Sequence, residues 1–383
     1  MYLLNIAGKK YETYKEKNPL YKRVETIVAS NEMGMHNVVY IVPSYYSQSV
    51  RYRAENMVDI INSLSDWNAV IFETFNSKII QNYLDYIDVV VFIRTRYDEL
   101  EEFICDITKR EIPSYYDMDD FQFSRDCIMP KEFGNAIADV NLQYQKLAVL
   151  CDGFITTTSF LKRNIEDFYH KKTYLIKNFM SYEQERIARK CLNKKHNDIA
   201  AEIDDWFCLG YFAGKSHFRD LEIISDDIAI FLERHDKTML RIIGIEKVPD
   251  SLKKDGIRNR VKIFPFMDGN ALMKEFAEID LNLIPLIMDD FSQARSEIKY
   301  FEAAIVGTMS LMSPTDVYCE IISKGNIGRV CKDNKWLNSI EEIYEGRKDL
   351  KTSMHLLFME ARNEYGADSR KKELQTMLNE VLG

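Results

Sequence analysis

The chain has 383 residues, of which 46% are hydrophobic and 29% charged, the balance of a soluble globular protein. That length exceeds what one hydrophobic core usually organises, so two domains are expected. A net charge of −9 argues against a nucleic-acid binder, and no apolar run approaches the length of a membrane span.

Seven cysteines lie scattered with no Cys-x-x-Cys pair, which predicts reduced thiols in a cytoplasm. Together with the six histidines they show no zinc-ligand spacing, so no zinc centre is expected. Met1 to Ala7 is too short for a signal peptide and is followed at once by Lys9 and Lys10. Residues 1–36 are expected to form an N-terminal arm or helix. Its lysines between Lys9 and Lys22, interleaved with Tyr11, Tyr14 and Tyr21, have two readings. One is a solvated polar arm, and the other is peripheral contact with the inner surface of a membrane, although Glu12 and Glu16 dilute the charge.

Val38 to Val42 is an all-apolar run stopped by Pro43, the pattern of a central parallel strand. After a loop at Ser44 to Val50, a helical stripe of Ala54, Met57, Val58, Ile61 and Leu64 begins at Arg51. Arg51 and Arg53 therefore sit at the start of the first helix after the first strand. In a doubly wound sheet that position borders the ligand crevice, where two arginines would meet an anion. Strands at Ala69 to Phe72, Asp88 to Ile93 and Ile112 to Tyr116 alternate with helices, which makes this half α/β. Arg94 and Arg96 follow the Asp88 strand, and Asp117, Asp119 and Asp120 follow the Ile112 strand.

Three carboxylates in four residues have two readings: a phosphate-bound Mg²⁺ or Mn²⁺ site, or a loop that hydrogen-bonds sugar hydroxyls or acts as a base. Phe121 and Phe123 beside them would either stack on a sugar or belong to a lid or core. Asp119, Asp120 and Arg96 are the candidate catalytic residues. Gly153 to Thr158 reads as a strand with Ser159 as the cap of the next helix, and Tyr174 to Ile176 as one more strand. The charged stretch Ser181 to Asp198 reads as an interdomain connection.

The alternation restarts at Trp206 to Phe212, followed by a Gly-containing turn in which Ser216 would cap a helix. Lys215 and His217 are then placed to touch a phosphate. This is no P-loop, because Leu209 stands where the motif's first glycine belongs. Further strands are expected at Met239 to Ile243, Val261 to Phe264, Leu281 to Leu286, Met309 to Met312 and within Gly325 to Cys331. A helix is expected over Ser296 to Val306, stopped by Gly307. Arg295, Lys299 and Glu302 share one face of it, at spacing i, i+4, i+7. Lys299 and a helix N-terminus suit a diphosphate, and Glu302 suits the two hydroxyls of a ribose; a solvated ion-pair face is the alternative.

Taken in order, Gly210-Tyr-Phe-Ala-Gly-Lys-Ser-His217-Phe-Arg-Asp220, Ile242-Ile-Gly244, Asp280-Leu-Asn-Leu-Ile-Pro285 and Ser296-Glu-Ile-Lys299-Tyr-Phe-Glu302-Ala-Ala-Ile-Val-Gly307 resemble the C-terminal domain of bacterial GT-B glycosyltransferases. The retaining group that builds cell-surface polysaccharides is the most similar. Arg51-Tyr-Arg53, Tyr116-Asp-Met-Asp-Asp120 and Trp336 also fit, and the resemblance spans residues 37–365. It implies an α/β chain of two Rossmann-like doubly wound domains facing across a cleft. Residues 37–190 would hold the acceptor and 200–355 the nucleotide sugar, with C-terminal helices over 356–383 packing back on the first domain. The implied activity transfers a sugar from a nucleotide-diphosphate donor to a glycan or lipid-linked acceptor, with retention, without a metal and without a bound cofactor. Glu302 would hold the ribose, Lys299 and Ser296 the diphosphate, with Lys215, His217 and Arg295 nearby; the three aspartates would be acceptor-side or structural.

One departure stands out. The family often carries a glutamate eight positions before Glu302, and here that position is Ala294. Two other functions therefore stay open on the same fold: a nucleotide-sugar 2-epimerase, and a catalytically silent subunit that partners a transferase.

Overall fold

The computed structural model of the chain describes residues 18–43, 48–123, 134–200, 206–214, 217–267 and 269–382. The lysines of the N-terminal arm up to Lys17, together with Lys215 and Ser216, lie outside the described residues. The chain divides into two compact units. The first comprises Met1–Ser181, Ala294–Ser296 and Ala367–Gly383, and the second Tyr182–Gln293 and Glu297–Gly366.

The sheet of the first unit has six parallel strands in the order β2-β1-β3-β4-β5-β6. They are β1 (His36–Val42), β2 (Trp67–Glu73), β3 (Val89–Ile93), β4 (Ser114–Met118), β5 (Gly153–Thr156) and β6 (Thr173–Leu175). Around them lie helices α1 (Leu20–Glu32), α2 (residues 48–61), α3 (Tyr97–Lys109), α4 (Gly134–Leu150) and α5 (Ser159–Tyr169). The apolar runs are continuous because both faces of the sheet are covered. Within β1, Val38, Tyr40 and Val42 enter one apolar cluster, while Val39 and Ile41 enter another on the opposite face. The strand order reverses between β1 and β3, and the carboxyl ends of those two strands flank the crevice of this unit.

Three local features differ from expectation. Strand β4 runs on to Met118, so Asp117 lies inside the sheet and is buried. The cap of α5 is Thr158, whose Oγ1 accepts from Leu161 N–H at 3.1 Å, one residue before Ser159. Helix α2 contains a π-helical turn at Arg51–Glu55 that carries both arginines inward. Such turns recur at functional sites.

The second unit has the order β12-β11-β10-β7-β8-β9, again all parallel. Its strands are β7 (Phe207–Phe212), β8 (Thr238–Ile243), β9 (Val261–Phe264), β10 (Leu281–Ile284), β11 (Met309–Met312) and β12 (Arg329–Val330). Its helices are α6 (Tyr182–Ala200), α7 (Phe218–Arg234), α8 (Gly269–Ala277), α9 (Ile298–Ala304), α10 (Asp316–Ser323), α11 (Trp336–Glu345) and α12 (Arg347–Tyr365). The strand order reverses between β7 and β10, which places a crevice at the carboxyl ends of those strands. Gly307 ends the segment after α9 at φ +76. An added Cβ there would meet Leu192 Cδ1 at 2.8 Å and Met354 Cβ at 2.9 Å.

The charged stretch expected as a connection is α6, which packs on α8 and α12. Its charges are anchored rather than loose: Lys194 pairs with Glu278 at 2.6 Å, and Lys195 donates to Ile279 O and Thr308 Oγ1, each at 2.7 Å.

The last helix, α13 (Lys371–Leu382), returns to the first unit. Leu374, Met377 and Leu378 join the cluster that holds Val38 and Ile61, and Lys172 pairs with Glu380 at 2.7 Å. Leu378 is fully buried. Leu378→Ala should therefore destabilise the protein by about 2–5 kcal/mol, measured by urea unfolding. A loss below about 1 kcal/mol would show that α13 is not part of this core.

Candidate functional site

At the carboxyl edge of the first sheet, each of the three clustered aspartates has an arginine. Arg53 is fully buried and grips Asp117 with two parallel bonds, Nε to Oδ1 at 2.8 Å and Nη2 to Oδ2 at 2.9 Å. Its Nη1 donates to Ile176 O at 2.8 Å and Asn178 Oδ1 at 3.2 Å. Arg53 was expected to await an external anion, and its anion is internal. Burial pushes the Asp117 carboxyl up to about 6, although Arg53 pulls the other way.

Arg94 serves the other two acids. Its Nε lies 3.0 Å from Asp119 Oδ1 and its Nη2 3.3 Å from Asp120 Oδ2. Burial alone would raise the Asp119 carboxyl, but Arg94 and the Ser49 hydroxyl outweigh it and hold the group below the usual range. Arg94 has φ +46, a left-handed conformation that costs a bulky side chain about 1–3 kcal/mol. Asp119 and Asp120 keep 13% and 21% of their side-chain surface exposed against 1% for Asp117, so these two remain within reach of a ligand.

Arg96 stands elsewhere. It is the N-cap residue of α3 and pairs with Asp98, two residues on. The left-handed turn at Arg94 explains the exchange, because it breaks the strand alternation that would have put both arginines on one side. Phe123 is a core residue at 2% exposure, and the half-buried Phe121 packs on it with ring centroids 5.0 Å apart. Among the described residues, no group of three His, Cys, Asp or Glu side chains is placed to hold a metal ion.

In the second unit the crevice loops after β7 and β10 are tied together by Asp220, in the first turn of α7. Its Oδ2 lies 2.6 Å from His217 Nδ1, and its Oδ1 accepts from Ile287 N–H at 3.0 Å. His217 and Asp220 are both buried. Burial would raise the Asp220 carboxyl, but His217, the Ile287 N–H and the charge of Lys299 hold it below the usual range. Tyr211 Oη donates to the carbonyl of His217 at 2.8 Å, and the Lys299 ammonium lies 5.8 Å from the Tyr211 ring centroid. His217, Asp220, Lys299 and Tyr211 thus converge on the β7/β10 reversal. Glu302, on the same short helix as Lys299, is 3% exposed.

Gly244, at the end of β8, makes room for the loop that leads to His217. Its φ is +86, and a Cβ would stand 2.2 Å from the Ala213 carbonyl oxygen. A cleft of about 680 Å³ in this unit is lined by Phe218, Lys247, Val248, Pro249, Arg258 and Ile263, and none of the candidate residues lines it.

Helix α9 is seven residues long and starts at Ile298, two residues later than expected. Arg295 and Ser296 therefore precede it and cluster with the first unit, where Ser296 Oγ accepts from Asn178 Nδ2 at 2.9 Å. Ala294 is fully buried in an apolar cluster of the first unit with Phe103, Phe123 and Ile165. A glutamate there would be a carboxylate among hydrocarbon, so the departure at Ala294 is matched by its surroundings. Asp220 and Arg94 are not among the candidate site residues. The spacing His217-x-x-Asp220 at a helix start is the sequence signal for the first, and the position just past a strand's carboxyl end is the signal for Arg94.

No protein-family model and no curated protein matches the chain. Solved structures do. A glycosyltransferase from Rickettsia africae superposes with a TM-score of 0.63 at 10% identity, over 91% of this chain and 99% of that one. HepE of Anabaena in complex with UDP-glucose gives 0.61 at 13% identity, over 90% and 99%. The UDP-GlcNAc 2-epimerase of Neisseria meningitidis bound to UDP-GlcNAc gives 0.54 at 11% identity, over 90% and 100%. At such identities the likeness establishes the fold: this chain has the GT-B fold of two Rossmann-like domains. Among the described residues, no helix is long and apolar enough to cross a membrane.

Two outcomes follow from the geometry. Gly244→Ala should destabilise by about 1–3 kcal/mol from backbone strain alone, measured by urea unfolding. Arg94→Gln leaves two partly buried carboxylates without their cation and should cost about 1–3 kcal/mol at pH 7. In the native protein the Asp119 carboxyl lies below its unfolded value. Its contribution is therefore complete above about pH 4 and is lost as pH falls further. In Arg94→Gln the buried Asp119, without its cation, binds a proton more readily when folded, so the stability gap to the native protein should narrow between pH 7 and pH 4. A gap that stays constant over that range would exclude this role for Arg94.

Proposed function

We propose that the protein is a glycosyltransferase that moves a sugar from a nucleotide-diphosphate donor to a glycan or lipid-linked acceptor, in assembly of a cell-surface polysaccharide. The reading rests chiefly on one observation: His217 and Lys299 both lie beside Asp220 and Tyr211 at the strand-order reversal of the second sheet. That is where an open α/β sheet binds an anionic ligand. In this scheme His217 and Lys299, with Lys215, hold the diphosphate, and Glu302 binds the ribose hydroxyls. As the sugar C1–O bond to phosphate breaks, negative charge grows on the departing diphosphate. Fixed cations neutralise it without reorganisation and without a metal. Asp119 and Asp120, clamped by Arg94, receive acceptor hydroxyls in the first unit. Transfer with retention, action in the cytoplasm and contact with the inner membrane surface complete the proposal.

A second reading is nucleotide-sugar 2-epimerisation. It draws support from the epimerase that superposes over 90% of this chain and from Ala294, where the family's donor-side glutamate is missing. The two reactions separate by product. A transferase turns over nucleotide sugars to free nucleoside diphosphate and, without an acceptor, hydrolyses them slowly. An epimerase interconverts two nucleotide sugars with no second substrate.

UDP, GDP, dTDP or ADP should raise the melting temperature, since a ligand at a hundred times its Kd adds about 2.7 kcal/mol. Lys299→Ala and Glu302→Ala should each abolish most of the shift. No shift with any of the four would sink both donor-binding readings. A shift accompanied only by epimerised nucleotide sugar would select the second.

A further inference from the structure

Strand β10 reads Leu281-Asn282-Leu283-Ile284, and its polar residue, Asn282, is 2% exposed. Leu281 and Leu283 join the apolar cluster that holds Leu221 and Ile224 of α7, so Asn282 points to the opposite face of the sheet. Helix α9 packs on β10 and β11. In register with Asn282 stand Gly210 of β7 and Ser310 of β11, a row without a large apolar side chain. Asn282 Nδ2 donates to the Lys299 carbonyl at 3.1 Å and to Ser310 Oγ at 3.0 Å. The amide must face this way, because a backbone carbonyl only accepts.

The bond reaches the first turn of a helix seven residues long, whose N-cap residue Glu297 makes no side-chain cap. So short a helix has little stability of its own. Apolar contacts hold it down, but they are non-directional and resist sliding or rotation weakly. A buried hydrogen bond is directional and selects one position. Tyr300 Oη ties the helix to the Ile327 carbonyl at 3.1 Å, and Asn282 ties it to the sheet.

We propose that Asn282 is a positioning residue for Lys299: its amide locks the first turn of α9 onto β10 and so fixes the Lys299 ammonium where it meets the phosphates of a nucleoside diphosphate. The ligand rests on the donor-site reading above, whereas the locking of the helix does not. Lys299 suits that ligand, because its half-buried ammonium carries three donors and a phosphate offers acceptors. The ammonium stands 5.8 Å from the Tyr211 ring centroid and within the field of Asp220. A shift of α9 along the strand would carry it away from both.

Hydrogen exchange of the full chain, read over residues 298–304, tests the lock. Asn282→Leu keeps much of the side chain's shape without its donor. Asn282→Ala removes the amide without adding bulk, should leucine displace the helix. In both variants α9 should exchange about tenfold faster, the worth of one net hydrogen bond, while α7 keeps its native rate. Native exchange over 298–304 in both variants would overturn the proposal.

A second arm titrates UDP and GDP by calorimetry. Asn282→Leu and Asn282→Ala should each weaken binding about tenfold, whereas Leu378→Ala, weakened in the core of the first unit, should bind as the native protein does. Native affinity in the Asn282 variants would show that the lock does not serve the ligand. An equal loss in Leu378→Ala would trace the effect to general destabilisation. Either result overturns the proposal. Failure of the native protein to bind any nucleoside diphosphate would remove the donor reading and the phosphate assignment with it. Exchange over 298–304 would then still decide whether Asn282 locks the helix.

Discussion

The buried ion pair between Arg53 and Asp117 holds the carboxyl edge of the first unit together. Each partner alone would be an unpaired charge in a dry interior, which costs far more than the pair contributes. Here the guanidinium finds four acceptors, two on Asp117 and one each on Ile176 and Asn178. The bonds join helix α2 to strand β4 and to the chain leaving β6. Asn178 passes the constraint on to Ser296, and so orients the short segment 294–296 that this unit retains. With Asp117 occupied, the neighbouring Asp119 and Asp120 fall to Arg94, at the cost of a left-handed backbone.

The two units share a topology and differ in chemistry at corresponding edges. Both are doubly wound parallel sheets whose strand order reverses once. The first lines its edge with carboxylates each matched to an arginine. The second places His217 and Lys299 beside the buried carboxylate of Asp220, which serves as an anchor. Hydroxyl-rich ligands suit the former and phosphates the latter, which is the division the donor and acceptor assignments use.

The strands were legible because parallel strands buried on both faces become unbroken apolar runs, such as Val38 to Val42 and Leu281 to Ile284. The charged residues were harder. Composition made 181–198 look like a linker, whereas Lys194 and Lys195 are bound to Glu278, Ile279 and Thr308, far away in the chain. The spacing of Arg295, Lys299 and Glu302 assumed one helix through all three. Helix α9 instead begins at Ile298, and Arg295 lies with the first unit.

Sequence by itself thus determined the α/β class, the restart of the alternation near Trp206 and the stretches that carry the candidate chemistry. Those features depend on local periodicity and on side chains close together in the chain. Tertiary structure alone decided which charges are consumed inside the fold and which stay available. Arg53 and Arg51 look alike in sequence, as do Arg94 and Arg96, but Arg53 is sealed on Asp117 and Arg94 is turned onto Asp119 and Asp120. The reason is physical: a buried charge must find its partner, and that partner is 64 residues away for Arg53 and 25 for Arg94 and Asp119, distances over which sequence carries no pairing rule.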